Sequence, residues 1–157
     1  MRRKDKLVTD LKVLHEVINK AEVCRLGLVD DSKPYVVPLS FGFDGKYIYF
    51  HSATEGRKVE ILLHKNKRVC VEFEQHVELI KERKACGYGV RYLTVIGDGF
   101  AEPVHDVAEK NYALNQLMHH YEPAWTDELF TDQQLASVLI FKITIEQMTG
   151  KASKMTL

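Results

Sequence analysis

The sequence predicts a mainly β, α+β domain, an antiparallel barrel or sandwich with a few peripheral helices, and three observations predict it. The segment Leu139–Glu146 alternates, with Leu139, Phe141, Ile143 and Ile145 on one face and Ile140, Lys142, Thr144 and Glu146 on the other. Two long strand-like stretches, about Arg68–Ile80 and Val90–Pro103, precede it, separated by a polar segment containing Gly87-Tyr88-Gly89. Asp44-Gly45 is a strong two-residue hairpin signal. Hairpin connections among about six strands, with few helices, exclude a doubly wound parallel sheet.

The elements follow in order. Leu11, Leu14, Val17 and Ile18 recur at helical spacing, so a helix is predicted around residues 10–20 with Thr9 as its N-cap. Cys24–Val29 reads as a short strand and Asp30-Asp31-Ser32-Lys33-Pro34 as a turn. A strand over Tyr35–Phe41 runs to the Asp44-Gly45 turn, and its hairpin partner is Lys46–Ser52. A helix over Arg57–His64 carries an apolar stripe of Val59, Leu62 and Leu63. Asp106-Val-Ala-Glu109 has the capping-box pattern with an acid in the Ser/Thr position, and the helix behind it aligns Val107, Leu114, Leu117, Met118 and Tyr121. Pro123 interrupts that helix, and a shorter helical piece spans Asp132–Ala136. No repeat, low-complexity segment or linker divides the chain, so residues 1–157 are expected to form one domain.

The most informative stretch is Tyr47–Lys58. It begins as a strand, stops at His51-Ser52-Ala53-Thr54, and restarts at Gly56-Arg57-Lys58 as the first turn of a helix. Such a turn offers backbone N–H groups without intrahelical partners and the positive end of the helix dipole. Hydroxyls at Ser52 and Thr54 and cations at Arg57 and Lys58 then suit a phosphate; the alternative is a solvated basic helix face. Pro38 cannot donate to a ladder, so it marks an edge or a bulge, where it either blocks aggregation or frees the backbone of Val37, Leu39 and Ser40 for a ligand. Placing its strand beside the one that ends at His51-Ser52 favours the ligand.

Other chemistries are excluded or weakened. The 22 basic and 22 acidic residues balance, which argues against a nucleic-acid partner. No run approaches a membrane span, and no apolar signal-peptide core follows the basic N-terminus. Cys24, Cys70 and Cys86 have neither disulfide arithmetic nor CxxC spacing, which fits reduced thiols in a cytoplasmic protein. His51 and Ser52 are strand neighbours whose side chains point to opposite faces, so they make no nucleophile–base pair. No GxSxG elbow or HExxH motif occurs, and His119-His120 sit where a helix dipole favours histidine, so no metal is expected. Gly97-Asp98-Gly99 lacks the third glycine and the following helix of a dinucleotide loop, and reads as a bulge or tight bend.

Several blocks occur in a recognisable order: Met1-Arg-Arg-Lys-Asp5, Val23-Cys-Arg-Leu26, Pro34-Tyr-Val-Val-Pro-Leu-Ser-Phe41, Tyr49-Phe-His-Ser-Ala53 with Glu55-Gly-Arg-Lys58, Val69-Cys70, Val95-Ile96 and Thr149-Gly-Lys151. They resemble the nitroimidazole-resistance-type flavoproteins, a branch of the pyridoxamine 5′-phosphate oxidase-like FMN-binding split-barrel proteins. The resemblance implies an antiparallel split β-barrel, a homodimer, and FMN at the subunit interface. It implies FMN contacts from Val37, Pro38, Leu39, Ser40, His51, Ser52, Ala53, Thr54, Arg57 and Lys58. It adds Tyr92 and Thr94 from the Arg91–Ile96 stretch, where the family usually has serine at the position of Thr94. Arg57 and Lys58 would take the phosphate, Ser52 and Thr54 the phosphate or polyol, and the Val37–Ser40 backbone the ring edge. His51 is the one catalytic candidate, either a ring-side donor near neutral pH or a residue that closes the pocket. The expected activity is an FMN-dependent oxidoreductase that passes electrons to a small acceptor such as a nitroaromatic compound. The alternative is a non-catalytic flavin- or haem-binding module for storage or sensing.

Overall fold

The computed structural model describes residues 3–154; Met1 and Arg2, the start of the N-terminal block, lie outside them. Eight strands form one antiparallel sheet: β1 (Leu7–Val8), β2 (Cys24–Asp30), β3 (Lys33–Leu39), β4 (Gly42–Phe43), β5 (Tyr47–Ser52), β6 (Arg68–Ile80), β7 (Gly89–Pro103) and β8 (Leu139–Ser153). Their order is β3-β2-β6-β7-β8-β5-β4, with β1 pairing onto β8 off this path. The sheet does not close, and β3 and β4 are the two ends of its hydrogen-bonded path. This is a split barrel.

The helices are α1 (Leu11–Lys20), α2 (Arg57–Glu60), α3 (Val107–Tyr121) and α4 (Asp132–Ala136). Asp10, rather than Thr9, caps α1, because its carboxylate reaches the Lys12 amide at 2.9 Å. The helix predicted over Arg57–His64 is one α turn that continues as a π turn over Ile61–Lys65. Val59, Ile61 and Leu62 are its buried residues, while Leu63 stays partly exposed.

One pairing differs from the sequence expectation. The hairpin partner of β5 is the two-residue β4, which pairs Gly42 with Tyr49 and Phe43 with Ile48, whereas β3 pairs only with β2. The Asp44-Gly45 turn is correct, and Asp44 accepts from the amides of Lys46 and Tyr47. The chain between β3 and β4 has changed sheet edges, however, which an unbroken apolar run does not announce. Gly42 explains part of this switch. A Cβ there would lie 2.5 Å from the backbone of Gln116 and Leu117, so only glycine lets β4 sit under α3.

The main core fills the inside of the curved sheet. Leu26, Phe41, Ile48, Phe50, Val71, Phe73, Val95, Phe141 and Ile143 are fully buried, and α1 adds Leu14 and Ile18. A second, smaller core under α3 holds Tyr49, Val104, Ala113, Leu117 and Ile140. Alternation in β8 thus serves two cores, Phe141 and Ile143 facing one and Ile140 the other. The expected bulge at the Gly97-Asp98-Gly99 stretch is present: Asp98 pairs with Gln147 but Gly99 pairs with Ile145, leaving Glu146 without an opposite residue. A Cβ on Gly99 would lie 2.0 Å from the Thr144 carbonyl oxygen.

The apolar face expected for α3 is only half right. Leu117 is buried, but Val107 and Tyr121 are exposed, and Asn111, Ala113 and Asn115 take the inner positions. The two asparagines clasp the 122–131 loop. Asn115 accepts from Trp125 Nε1 at 2.8 Å and from the Glu128 amide at 3.0 Å, and donates to the carbonyls of Asn111 and Glu128. Asn111 accepts from the Phe130 amide at 2.7 Å. Polar residues on an inner helix face break the hydrophobic period, so the buried face of α3 departs from the one its apolar residues predict. Because Trp125 is the sole tryptophan, its fluorescence reports this clasp. Asn115→Ala is expected to red-shift that emission and lower stability by about 2–4 kcal/mol in a urea titration, since several buried partners lose their hydrogen bonds. Unchanged emission and midpoint would show that the clasp does not hold the loop.

Candidate functional site

The candidate site lies at the split of the barrel. β5 carries Phe50 and Ser52 inward and His51 outward. Phe50 is fully buried and stacks on Phe141, with ring centroids 5.2 Å apart and planes 13° from parallel. Ser52 follows it into the interior and is 6% exposed, whereas His51, Ala53 and Thr54 are exposed. Gly56 then turns the chain at φ 121°, a conformation that favours glycine, and leads into α2. No side chain caps this turn.

The helical segment Arg57–Lys65 bridges the split. Arg57 stacks over the Tyr35 ring of β3, with its guanidinium carbon 4.5 Å from the centroid, while Lys58 Nζ lies 5.2 Å from the centroid of Phe50 in β5. The stretches Tyr35–Phe41 and Lys46–Ser52, expected from the sequence to be hairpin partners, instead supply β3 and β5, which are far apart along the sheet. They are connected through α2, not through a shared ladder.

The two cations differ. Arg57 Nε donates to Asp30 at 2.9 Å, and Lys65 donates to the same carboxylate at 2.7 Å. These two donors, Lys65 first, pull the Asp30 carboxyl below its ordinary pKa. Arg57 is thus tied to the tip of the β2–β3 hairpin through one of its nitrogens. Lys58 is half-buried and pairs with no carboxylate among the described residues. Burial lowers its pKa, and the fully buried Cys24 partly offsets this. An ammonium partly removed from water, resting on an aromatic face and with no carboxylate partner among the described residues, has the chemistry to attract an anion. His51 feels the same charge: although the residue is exposed at the surface, partial shielding of its ring from water first, and then Lys58, lower its pKa.

On β3, Val37 and Leu39 are partly buried and pack on the main core, and Pro38 and Ser40 are exposed. β3 is the sheet edge, so backbone groups facing away from β2 have no ladder partner, and Pro38 removes one donor from that edge. Tyr92 and Thr94 lie elsewhere. Thr94 pairs with Lys151 of β8, eleven positions along that strand from Ile140, which pairs with His51. Followed along β8, at about 3.3 Å per residue, that is roughly 35 Å of strand. Among the described residues neither Tyr92 nor Thr94 makes a hydrogen bond, ion pair or ring contact with Arg57 or Lys58. Among the described residues no three His, Cys, Asp or Glu side chains gather as a metal site; His119 pairs with Asp127 at 2.6 Å and His120 with the Ala21 carbonyl at 2.8 Å. None of the described helices is long and apolar enough to cross a membrane.

Residues 10–152 match the model of the family described as pyridoxamine 5′-phosphate oxidase. The chain belongs to that family. A candidate 5-nitroimidazole antibiotic resistance protein of Bacteroides thetaiotaomicron is 32% identical, with a TM-score of 0.81 over 92% of this chain and 85% of that one. A FAD-binding protein from Mesorhizobium loti is 26% identical, with a TM-score of 0.69 over 95% and 98% of the two chains. The FAD and haem binding protein of Mycobacterium smegmatis shares the fold at a TM-score of 0.86 and 22% identity, over 96% of this chain and 74% of that one. No curated protein matches the chain.

Because folded His51 holds its proton less tightly than an unfolded histidine, its contribution to stability is present above the ordinary histidine pKa and is lost as pH falls through the lowered folded value. In an NMR titration the His51 ring is expected to protonate below the ordinary histidine range. Lys58→Met should move that midpoint upward but not restore it fully, since burial is the larger cause. A midpoint indifferent to Lys58→Met would mean that the ammonium does not act on His51.

Proposed function

We propose that the chain binds a flavin, as FMN, at the split of the barrel and acts as an oxidoreductase that passes electrons from a reduced donor to a small acceptor such as a nitroaromatic compound. The observation that carries this reading is Lys58, a half-buried ammonium on the ring of Phe50, which lies two residues before the buried Ser52 on the same strand, with no carboxylate partner among the described residues. Those residues fit a phosphate: Lys58 supplies charge, Ser52 and Thr54 supply hydroxyl donors, and the uncapped turn at Gly56 supplies backbone N–H groups. Arg57 contributes through the terminal nitrogens that Asp30 leaves free. The edge backbone of Val37–Ser40 offers donors and acceptors to the polar rim of a ring. FMN, when bound, supplies the electron transfer, and the protein's part is to hold and orient it.

His51, neutral and on the outward face, is placed to donate to or accept from an acceptor rather than to hold the phosphate. The relatives that are described as binding flavin, and the one described in terms of nitroimidazole resistance, support the cofactor and acceptor classes. Haem is the second reading, since a neutral, exposed His51 is a competent ligand; the visible spectrum of the purified protein separates a Soret band from flavin bands.

The working unit in this reading is a homodimer with FMN between the subunits. Two features support it. Tyr92 and Thr94 make no contact with Lys58 among the described residues, and the outer sheet surface exposes Val29, Val36, Val77, Leu79, Val90 and Ile96. Sedimentation at low protein concentration should show a dimer that FMN stabilises by mass action. A monomer that keeps stoichiometric FMN would contradict the shared site. Lys58→Ala is expected to weaken FMN binding about ten- to a hundred-fold, the cost of losing a charge-assisted hydrogen bond. Arg57→Ala should cost less, because Asp30 already engages that guanidinium. Riboflavin should be nearly indifferent to both changes, and equal losses for the two ligands would show that neither residue holds the phosphate.

A further inference from the structure

The last turn of α3 holds the point where the chain leaves the β3 edge. The β2–β3 ladder ends at the Cys24–Leu39 pair, and the chain then crosses to β4 at the other end of the sheet. Ser40 is exposed, whereas Phe41 and Gly42 are buried. This crossing is pressed against α3, since Gly42 fits under the backbone of Gln116 and Leu117 only because it lacks a Cβ. The Phe41 N–H donates to the Tyr121 phenol oxygen at 3.1 Å, and the phenol O–H donates in turn to the Glu22 carbonyl at 2.9 Å. One hydroxyl thus uses both its acceptor and its donor capacity to join the exit of β3 to the approach to β2. Burial raises the phenol pKa, which keeps that donor in place.

His120 adds a second tie. Its Nε2 lies 2.8 Å from the Ala21 carbonyl, and a carbonyl only accepts, so Nε2 carries the proton. The same ring packs on Phe41 with centroids 4.2 Å apart, and Phe41 packs edge-on against Phe73 of β6 at 5.0 Å. Phe41 is therefore fixed through its side chain by the core and through its N–H by α3. Leu39 is fixed by the ladder, and only Ser40 separates the two fixed points. Backbone groups held in this way can offer hydrogen bonds to a ligand without first being ordered by it.

We infer that Tyr121 and His120 are positioning residues for flavin binding: from the end of α3 they hold the Leu39–Phe41 backbone in the conformation that meets the polar rim of the ring. The inference rests on the proposed function, in which this edge takes the ring, and adds two residues that lie outside the cofactor contacts named there.

Tyr121→Phe removes the hydroxyl and keeps the ring. Hydrogen exchange of the Phe41 amide in the flavin-free protein reads the tie itself and is expected to quicken about ten-fold; an unchanged rate overturns the proposal. Titrations with FMN and riboflavin read the consequence. Loosening the ring side costs both ligands the same factor, about three- to ten-fold, whereas the loss at Lys58 spares riboflavin. The FMN bound to the variant is also expected to shift in midpoint potential and in visible band position, because contacts at the ring tune its electronics. A lowered urea midpoint with the potential, spectrum and affinity of bound FMN unchanged would mean that Tyr121 only supports the fold, and overturns the proposal. His120→Leu should repeat the pattern, and His120→Gln, whose amide can still donate to Ala21, should restore part of it. Wild type that binds neither ligand removes the flavin reading and this role with it. Wild type that binds both, with Tyr121→Phe binding them as tightly, removes this role alone.

Discussion

A curved antiparallel sheet that does not close leaves two edges, and the rest of this structure depends on what spans them. Unpaired edge groups must meet solvent, another strand or a ligand. Here the helical segment Arg57–Lys65 crosses the gap. Its buried Val59, Ile61 and Leu62 seal the interior, and its first turn places Arg57 on β3 and Lys58 on β5. Burying one side of a helix forces its neighbouring positions to the rim, so the same packing that closes the barrel half-buries Lys58. The candidate site is thus a by-product of closure, located where the sheet lacks a ladder.

The long β6–β7–β8 ladder is the frame that holds those edges apart. Its strands of 13, 15 and 15 residues extend well past the barrel. Two irregularities shape it: one between Gln75 and Glu78, where His76 adopts φ 55°, and one opposite Gly99, where the backbones approach too closely for any side chain. Bulges bend and twist a strand locally, and those bends let one ladder line the core at one end and present Tyr92, Thr94, Lys151 and Ser153 at the other.

Much of this was legible in the sequence because it rests on local physics. Alternation fixed the span of β6 and placed β7 to within a residue, and Pro123 and the Asp132–Ala136 piece fell where backbone chemistry puts them. The bulge near Gly97–Gly99 was readable from glycine inside a strand. The exchange of edges between β3 and β4 was not, since register and pairing are set by packing against α3, and a two-residue strand has no period. The inner face of α3 was also hidden, because Asn111 and Asn115 are buried for hydrogen bonds and not for apolar area. At the site, residue types marked the Gly56 turn as a candidate for anion binding, but the sequence treated Arg57 and Lys58 alike. Only the placement of Asp30, far away in the chain, distinguishes a guanidinium already engaged from an ammonium without a carboxylate partner among the described residues.

That distinction makes Lys58 the centre of the account, and its own protonation is the most direct measure of it. With the lysine side chains isotopically labelled and Lys58→Met used to assign the signal, NMR titration gives the Lys58 pKa with and without FMN. The account predicts a value below the ordinary lysine range in the free protein, as burial dictates, and a clear rise when FMN occupies the split, because a phosphate dianion replaces the missing counter-ion. A Lys58 that titrates identically in the free and FMN-bound protein would contradict it.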